Sequence, residues 1–178
     1  MALKLRAARE GDAAAIAALH LASWRDAYRG ILDDAFLEGP AETVMAGHWE
    51  TALARRPMPG VVLLASMGTE AAGFVAAWRQ GVTARVDNLH VRPGLRGAGI
   101  GRTLLGAVAR RMRARGCTGA EVSVFAANID AIRFYGALGA RIGPEEMGET
   151  FGQRVQERRC SWPEIDLLIQ IAAEPKSR

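Results

Sequence analysis

The sequence predicts an α+β (mixed α/β) fold in which helices flank a central mixed sheet. Three observations predict it. Short apolar or alternating runs recur along the chain as strands, segments of helical period fall between them, and a glycine-rich loop joins one strand directly to a helix.

The elements follow in order. Leu3 to Ala7 alternates apolar and basic residues as a strand does. Asp12 stands in the N-cap position before Ala13-Ala-Ala-Ile16 and opens a helix that runs through Leu19 and Ala27 to Tyr28. Gly30, Asp33 and Asp34 interrupt it, and a second helix extends from Ala41 to Leu53 until Pro57, Pro59 and Gly60. Val61–Ala65 and Ala72–Trp78 flank Gly68 as an antiparallel hairpin, and Thr83–Val91 is the next strand. After the loop, Ile100, Leu104, Ala107, Val108 and Met112 recur at helical spacing, with Gly116 as the stop. Glu121–Phe125 is a strand, and Asn128 caps a short helix through Leu138 that Gly139 ends. The region around Ile142 and the run Arg154–Trp162 read as two strands, followed by an apolar tail at Ile165–Ile171. These elements make one domain over residues 1–172, with a polar tail at 173–178.

Composition narrows the function. With 178 residues, 49% of them hydrophobic, the chain can bury a sizeable core. No apolar run approaches the length of a membrane span, and the first residues lack the apolar core of a signal peptide. The expectation is a cytoplasmic protein with no membrane partner. Cys117 and Cys160 are isolated and read as free thiols, and no Cys/His cluster suggests a metal site. The net charge is +4, carried almost wholly by arginine. The charges are scattered without aromatic interleaving, which argues against nucleic acid. The densest basic stretch, Arg92 to Arg115, surrounds the glycine loop, where a small polyanionic ligand accounts for it.

That loop is Arg96-Gly97-Ala98-Gly99-Ile100-Gly101. A helix N-terminus offers unpaired N–H groups and a positive dipole end, and glycines let phosphate oxygens approach the backbone. Arg96 and Arg102 can add charge-assisted contacts. The plain alternative is a flexible strand-to-helix turn. A Walker loop fits worse, because Gly101-Arg102-Thr103 only approximates its ending. A dinucleotide fold also fits worse, because Glu121 stands at the start of the next strand rather than its end.

Two segments together resemble the GCN5-related N-acetyltransferases. Leu89-His-Val-Arg-Pro-Gly-Leu-Arg-Gly-Ala-Gly-Ile-Gly101 matches their acetyl-CoA signature at Arg96, Gly99 and Gly101, and Asn128-Ile-Asp-Ala-Ile-Arg-Phe-Tyr135 matches their second signature. The resemblance implies a mostly antiparallel sheet with a splayed parallel pair around Val91 and Val124. It implies that acetyl-CoA is the co-substrate, with pantetheine pairing to the backbone of Leu89, His90 and Val91. The pyrophosphate would lie on Arg96, Gly97, Ala98, Gly99, Ile100, Gly101 and Arg102. It also implies acetyl transfer to a primary amine of a small molecule or peptide by direct attack in a ternary complex, and a homodimer as the usual state. The rivals are an acyltransferase for a longer acyl-CoA and a non-catalytic coenzyme A-binding regulatory module.

Within that frame Tyr135 is the acid that protonates the departing sulfur, or else a packed helix tyrosine. Asn128 hydrogen-bonds the ligand, caps its helix, or does both. Asp87 shares a strand face with Leu89 and Val91 and is the candidate base, an anchor for a cationic acceptor, or a structural carboxylate. Alternation turns the His90 side chain to the other face. His20 and His48 fall on helices and read as packing or surface residues. Trp24, Tyr28 and Phe36 are the candidate acceptor walls, with Asp33, Asp34 and Glu38 beside them. Their plain alternative is aromatic core and solvated acid.

Overall fold

The computed structural model describes residues 2–174. In chain order they form β1 (Leu3–Ala7), a 3₁₀ turn (Glu10–Asp12), α1 (Ala13–Ala27), α2 (Asp34–Glu38), α3 (Ala41–Ala54), β2 (Gly60–Met67), β3 (Glu70–Gln80), β4 (Thr83–Val91), α4 (Ile100–Arg113), β5 (Gly119–Phe125), α5 (Ile129–Gly136), β6 (Arg141–Thr150), β7 (Gln153–Trp162) and α6 (Ile165–Ala173). The strands make one seven-stranded sheet in the order β1-β2-β3-β4-β5-β7-β6. The β4–β5 pair is parallel and every other pair is antiparallel. The mixed sheet expected from the element order is therefore observed. Of the expected tail, Ala173 closes α6 and residues 175–178 lie outside the described residues.

Two cores sandwich the sheet, and the period-two pleat distributes residues between them. Val61, Leu63 and Ala65 of β2 and Val75 and Ala77 of β3 face α4, where Leu104, Leu105, Val108 and Met112 are buried. Their neighbours Val62, Leu64, Phe74 and Ala76 face the other way, toward Ile16, Trp24, Met45 and Trp49 of α1 and α3. Burial on both faces explains why β2 and β3 read as near-continuous apolar runs rather than alternating ones.

Three local expectations change. Asp12 does not cap α1 with its side chain. Its carboxylate instead accepts the Arg9 N–H at 2.7 Å and both ends of the Arg6 guanidinium at 2.7 Å, so Arg6 holds its pKa below the ordinary value. The stretch after Gly30 contains the short helix α2, whose N-cap Asp33 accepts the Ala35 N–H at 2.9 Å. The apolar tail is the helix α6, which buries Ile165 and Leu168 one turn apart. It lies so close to α4 that a Cβ on Gly106 would stand 2.8 Å from Ala172 Cβ.

Leu104 is fully buried at the centre of the α4 core. Leu104→Ala is expected to destabilise the protein by about 2–5 kcal/mol in urea titration, the range for deleting a buried leucine. A loss below about 1 kcal/mol would contradict this placement of the core.

Candidate active site

The β4–β5 ladder runs from Thr83↔Gly119 to Val86↔Val122 and stops, although both strands continue. Past that point, among the described residues, β4 pairs with β3 alone on its far edge and β5 with β7 alone. The facing edges are open. A bulge marks where the strands part: the β3–β4 register passes from Ala77↔Val86 to Ala76↔Asn88 and skips Asp87. The extra residue shifts the pleat, so Val86 and Leu89 pack toward α4 while His90 packs on Phe74 on the opposite face. The Arg92 N–H bonds the Ala72 carbonyl of the β3 side at 2.9 Å. Strand alternation then turns the N–H groups of Leu89 and Val91 to the open edge.

The gap is a cleft of about 680 Å³. Asp87, Leu89, His90 and Val91 line it from β4, Val124 from β5, and Asn128 and Tyr135 from α5 and its cap. At its mouth lies the glycine loop. Gly97 and Gly99 have φ of 83° and 84°, the left-handed region that glycine adopts without strain. A Cβ at either would meet nothing within 4 Å, so open space lies in front of this backbone. Gly99 caps α4, and the first helical bond runs from the Thr103 N–H to its carbonyl at 3.0 Å. The N–H groups of Ile100, Gly101 and Arg102 precede that ladder, which leaves an anion cradle at the helix N-terminus.

The expected phosphate ligands divide. Arg96 lines the cleft, with its guanidinium held by Asp26 at 2.5 Å and by Ser23 Oγ at 3.4 Å. Arg102 sends its side chain away, donating to the Ile171 and Ala172 carbonyls at the C-terminus of α6. Its backbone N–H stays at the cradle. Ala98 is in the loop but does not line the cleft.

Behind β4 lies a polar chain inside the α1 core. The Trp49 Nε1–H donates to His20 Nδ1 at 3.0 Å, which puts the His20 proton on Nε2. The His20 ring lies 4.5 Å from the ring of His90, whose Nδ1 pairs with Ser23 Oγ at 3.0 Å. Burial drives the His90 pKa down to about 3, with the Arg96 charge helping, and burial also lowers His20 well below the ordinary value. Both rings are neutral at working pH. His90 touches the cleft as a buried imidazole, while the strand around it supplies the open backbone.

Tyr135 is buried against Phe134 and Trp162, at ring distances of 5.1 and 6.0 Å, yet it lines the cleft. Burial, and then Tyr28 and Cys160, raise its phenol pKa well above the ordinary value, so it stays protonated. Asn128 Oδ1 accepts the Ala131 N–H at 3.2 Å and caps α5, and the residue also lines the cleft.

A second cavity of about 280 Å³ adjoins the cleft. Tyr28, Asp87, His90 and Ser123 line both and form the junction. Trp24 lines the second cavity, whereas Phe36 lines neither and stacks on Phe151 at 5.7 Å. Asp87 reaches the junction with a contact from Arg85 at 3.2 Å. Sequence reasoning missed Ser23 and Asp26 behind the loop. It also missed the β6–β7 wall of Glu149, Thr150, Phe151 and Glu157, whose charged, half-exposed pattern reads as an ordinary solvated hairpin.

His90 gives a pH signature. Its folded pKa lies below its unfolded value, so its contribution is intact above about pH 6.5 and is lost as pH falls toward 3. His90→Gln is expected to flatten the loss of stability over that window in acid titration of unfolding. An unchanged acid limb would contradict the buried neutral imidazole.

The comparisons with known proteins agree with this geometry. Residues 16–140 match the model of the acetyltransferase (GNAT) family. No curated protein sequence matches the chain. The PaiA N-acetyltransferase of Thermoplasma acidophilum, solved with coenzyme A, superposes with a TM-score of 0.73 at 19% identity, covering 89% of this chain and 98% of that one. The yncA protein of Salmonella typhimurium, solved with acetyl-CoA, gives a TM-score of 0.66 at 21% identity over 93% and 95% of the two chains. The ribosomal-protein-S18-alanine N-acetyltransferase of Escherichia coli gives 0.66 at 19% identity over 92% and 94%. The splayed sheet, the glycine loop at a helix N-terminus and the match over residues 16–140 together make this chain a member of the GNAT acetyltransferase family.

Proposed function

We propose that the chain transfers an acetyl group from acetyl-CoA to a primary amine of a small molecule or peptide, by direct attack in a ternary complex. One observation carries the reading: an open strand edge, a glycine cradle and a buried phenol converge on a single cleft. The coenzyme complexes of the two structural neighbours support it.

The residues divide the work. The N–H groups of the loop and of the first turn of α4 receive the pyrophosphate, with Arg96 donating from its seat on Asp26. The open edge at Leu89 and Val91 hydrogen-bonds the pantetheine arm as a strand would, and Asn128 contacts it from α5. One N–H of that edge donates to the thioester oxygen and stabilises the charge that grows there. Acetyl-CoA supplies the activated acyl group. An acceptor amine is a cation at neutral pH and must lose a proton before it attacks. Asp87, at the junction of the two cavities, takes that proton directly or through water. Tyr135, kept protonated by burial, donates to the departing sulfur.

The first test is thiol release from acetyl-CoA across a panel of amines, amino acids and peptides. Release that requires an amine supports the reading, and no release with any of them contradicts it. Gly99→Val puts a β-branched residue at a φ of 84°. A folded Gly99→Val variant should lose most of the thermal stabilisation given by acetyl-CoA. Undiminished stabilisation would remove the loop from the binding site.

Tyr135→Phe keeps the ring and removes the hydroxyl. Its single-turnover rate is expected to fall about 10²–10⁴-fold, with acetyl-CoA affinity little changed, because the lost interaction belongs to the transition state. A wild-type single-turnover rate at every pH would rule out the acid role.

A further inference from the structure

With the reacting amine at Asp87, as proposed above, the adjoining second cavity is the space left for the rest of the acceptor, and its walls have a definite chemistry. Trp24, Tyr28, Phe125 and Phe151 line it, together with the imidazoles of His20, His48 and His90. Trp24 lies 5.3 Å from Tyr28 and 5.6 Å from Phe151, and Tyr28 lies 4.7 Å from Phe125. Phe151 stands out among them. It shares the β6–β7 turn with Gly152, at φ of 48° and 76°. A two-residue turn with both φ values positive favours Asn-Gly, and a bulky aromatic in its first position is strained. The ring reaches over the cavity from there, between Trp24 and Phe36.

The same hairpin presents carboxylates. Glu157 lies over Gly148 so closely that a Cβ there would stand 2.5 Å from its Cδ, and the glycine leaves the room this carboxylate occupies. Glu149 lines the cavity beside it. Neither has an ion-pair partner among the described residues. Arg85, the cation in this lining, is taken by Asp87 at 3.2 Å and by Glu121 at 3.0 Å. The cavity therefore combines negative charge with aromatic faces, a setting that favours a cation. Trp24 Nε1 and His20 Nε2 are donors without a hydrogen-bond partner among the described residues, but both are sealed from the cavity surface and do not select its contents.

We propose that the acceptor carries a second positive charge away from its reacting amine, held by Glu157 and Glu149 against the faces of Trp24 and Phe151. The acceptor class is then an alkyl diamine or a longer amine with several cationic centres. This rests on the amine-acetylation reading and names the acceptor within it.

The test compares α,ω-diamines with n-alkylamines of equal carbon count, by steady-state kinetics and by calorimetric titration into the complex with coenzyme A. Diamines are expected to exceed monoamines in kcat/KM by about tenfold or more, about 1.4 kcal/mol. Glu157→Gln should shrink that ratio toward one and weaken diamine binding about tenfold, with the kinetic loss read in KM. Phe151→Asn installs the residue that the turn favours, so the hairpin is kept while diamine KM rises. Equal kcat/KM for the two series, or diamine affinity unchanged in Glu157→Gln, would overturn the proposal. Acetylation without a charge preference would sink it and leave acetyl transfer standing. Glu157-dependent diamine binding with no acetylation of any amine would support it and sink acetyl transfer instead.

Discussion

Two parallel strands that stop bonding part-way along their length leave unpaired backbone inside a sheet, and unpaired backbone needs a partner. The remaining features of this site follow from that parting of β4 and β5 beyond Val86 and Val122. It opens the cleft and turns the N–H groups of Leu89 and Val91 toward a ligand. The bulge at Asp87 belongs to the same event, because it shifts the pleat and sends a carboxylate to the junction of the two cavities.

The electrostatic arrangement is economical in charge. Many arginines surround the loop, yet Arg102 serves the end of α6 and Arg96 is held by Asp26 from α1. The anion cradle is then mainly backbone, and Arg96 is oriented by a helix on the far side of β4. Ser23 ties this arginine to His90, so the loop, the strand edge and the core of α1 share one polar chain. Neutral imidazoles suit that place, because a buried unpaired charge beside Arg96 would be costly.

Much of the fold was legible because its elements are strongly periodic. The α4 stripe of Ile100, Leu104, Val108 and Met112 and the apolar runs of β2 and β3 state their burial directly. The glycine loop was legible because left-handed backbone leaves a residue-type trace. Other features leave none. Asp87 carries no sign of a bulge, since the extra residue is set by pairing with β3. Helix α6 is short and apolar, and only its packing on α4 at Gly106 distinguishes it from a tail. Asp12 has the sequence of an N-cap but finds a stronger partner in Arg6. The wall from β6 and β7 was missed because Glu149, Phe151 and Glu157 meet Trp24 and Tyr28 only through the order of the sheet, which sets β7 beside β5. Phe36, by contrast, sits behind Phe151 rather than at the cavity.

The central claim is that open backbone at the end of β4 and at the start of α4 holds the coenzyme. Amide hydrogen exchange with and without acetyl-CoA reads those groups directly. New protection is expected at Leu89, Val91 and residues 99–102, with β1–β3 unchanged. Acetyl-CoA binding that leaves those amides exchanging as before would contradict it.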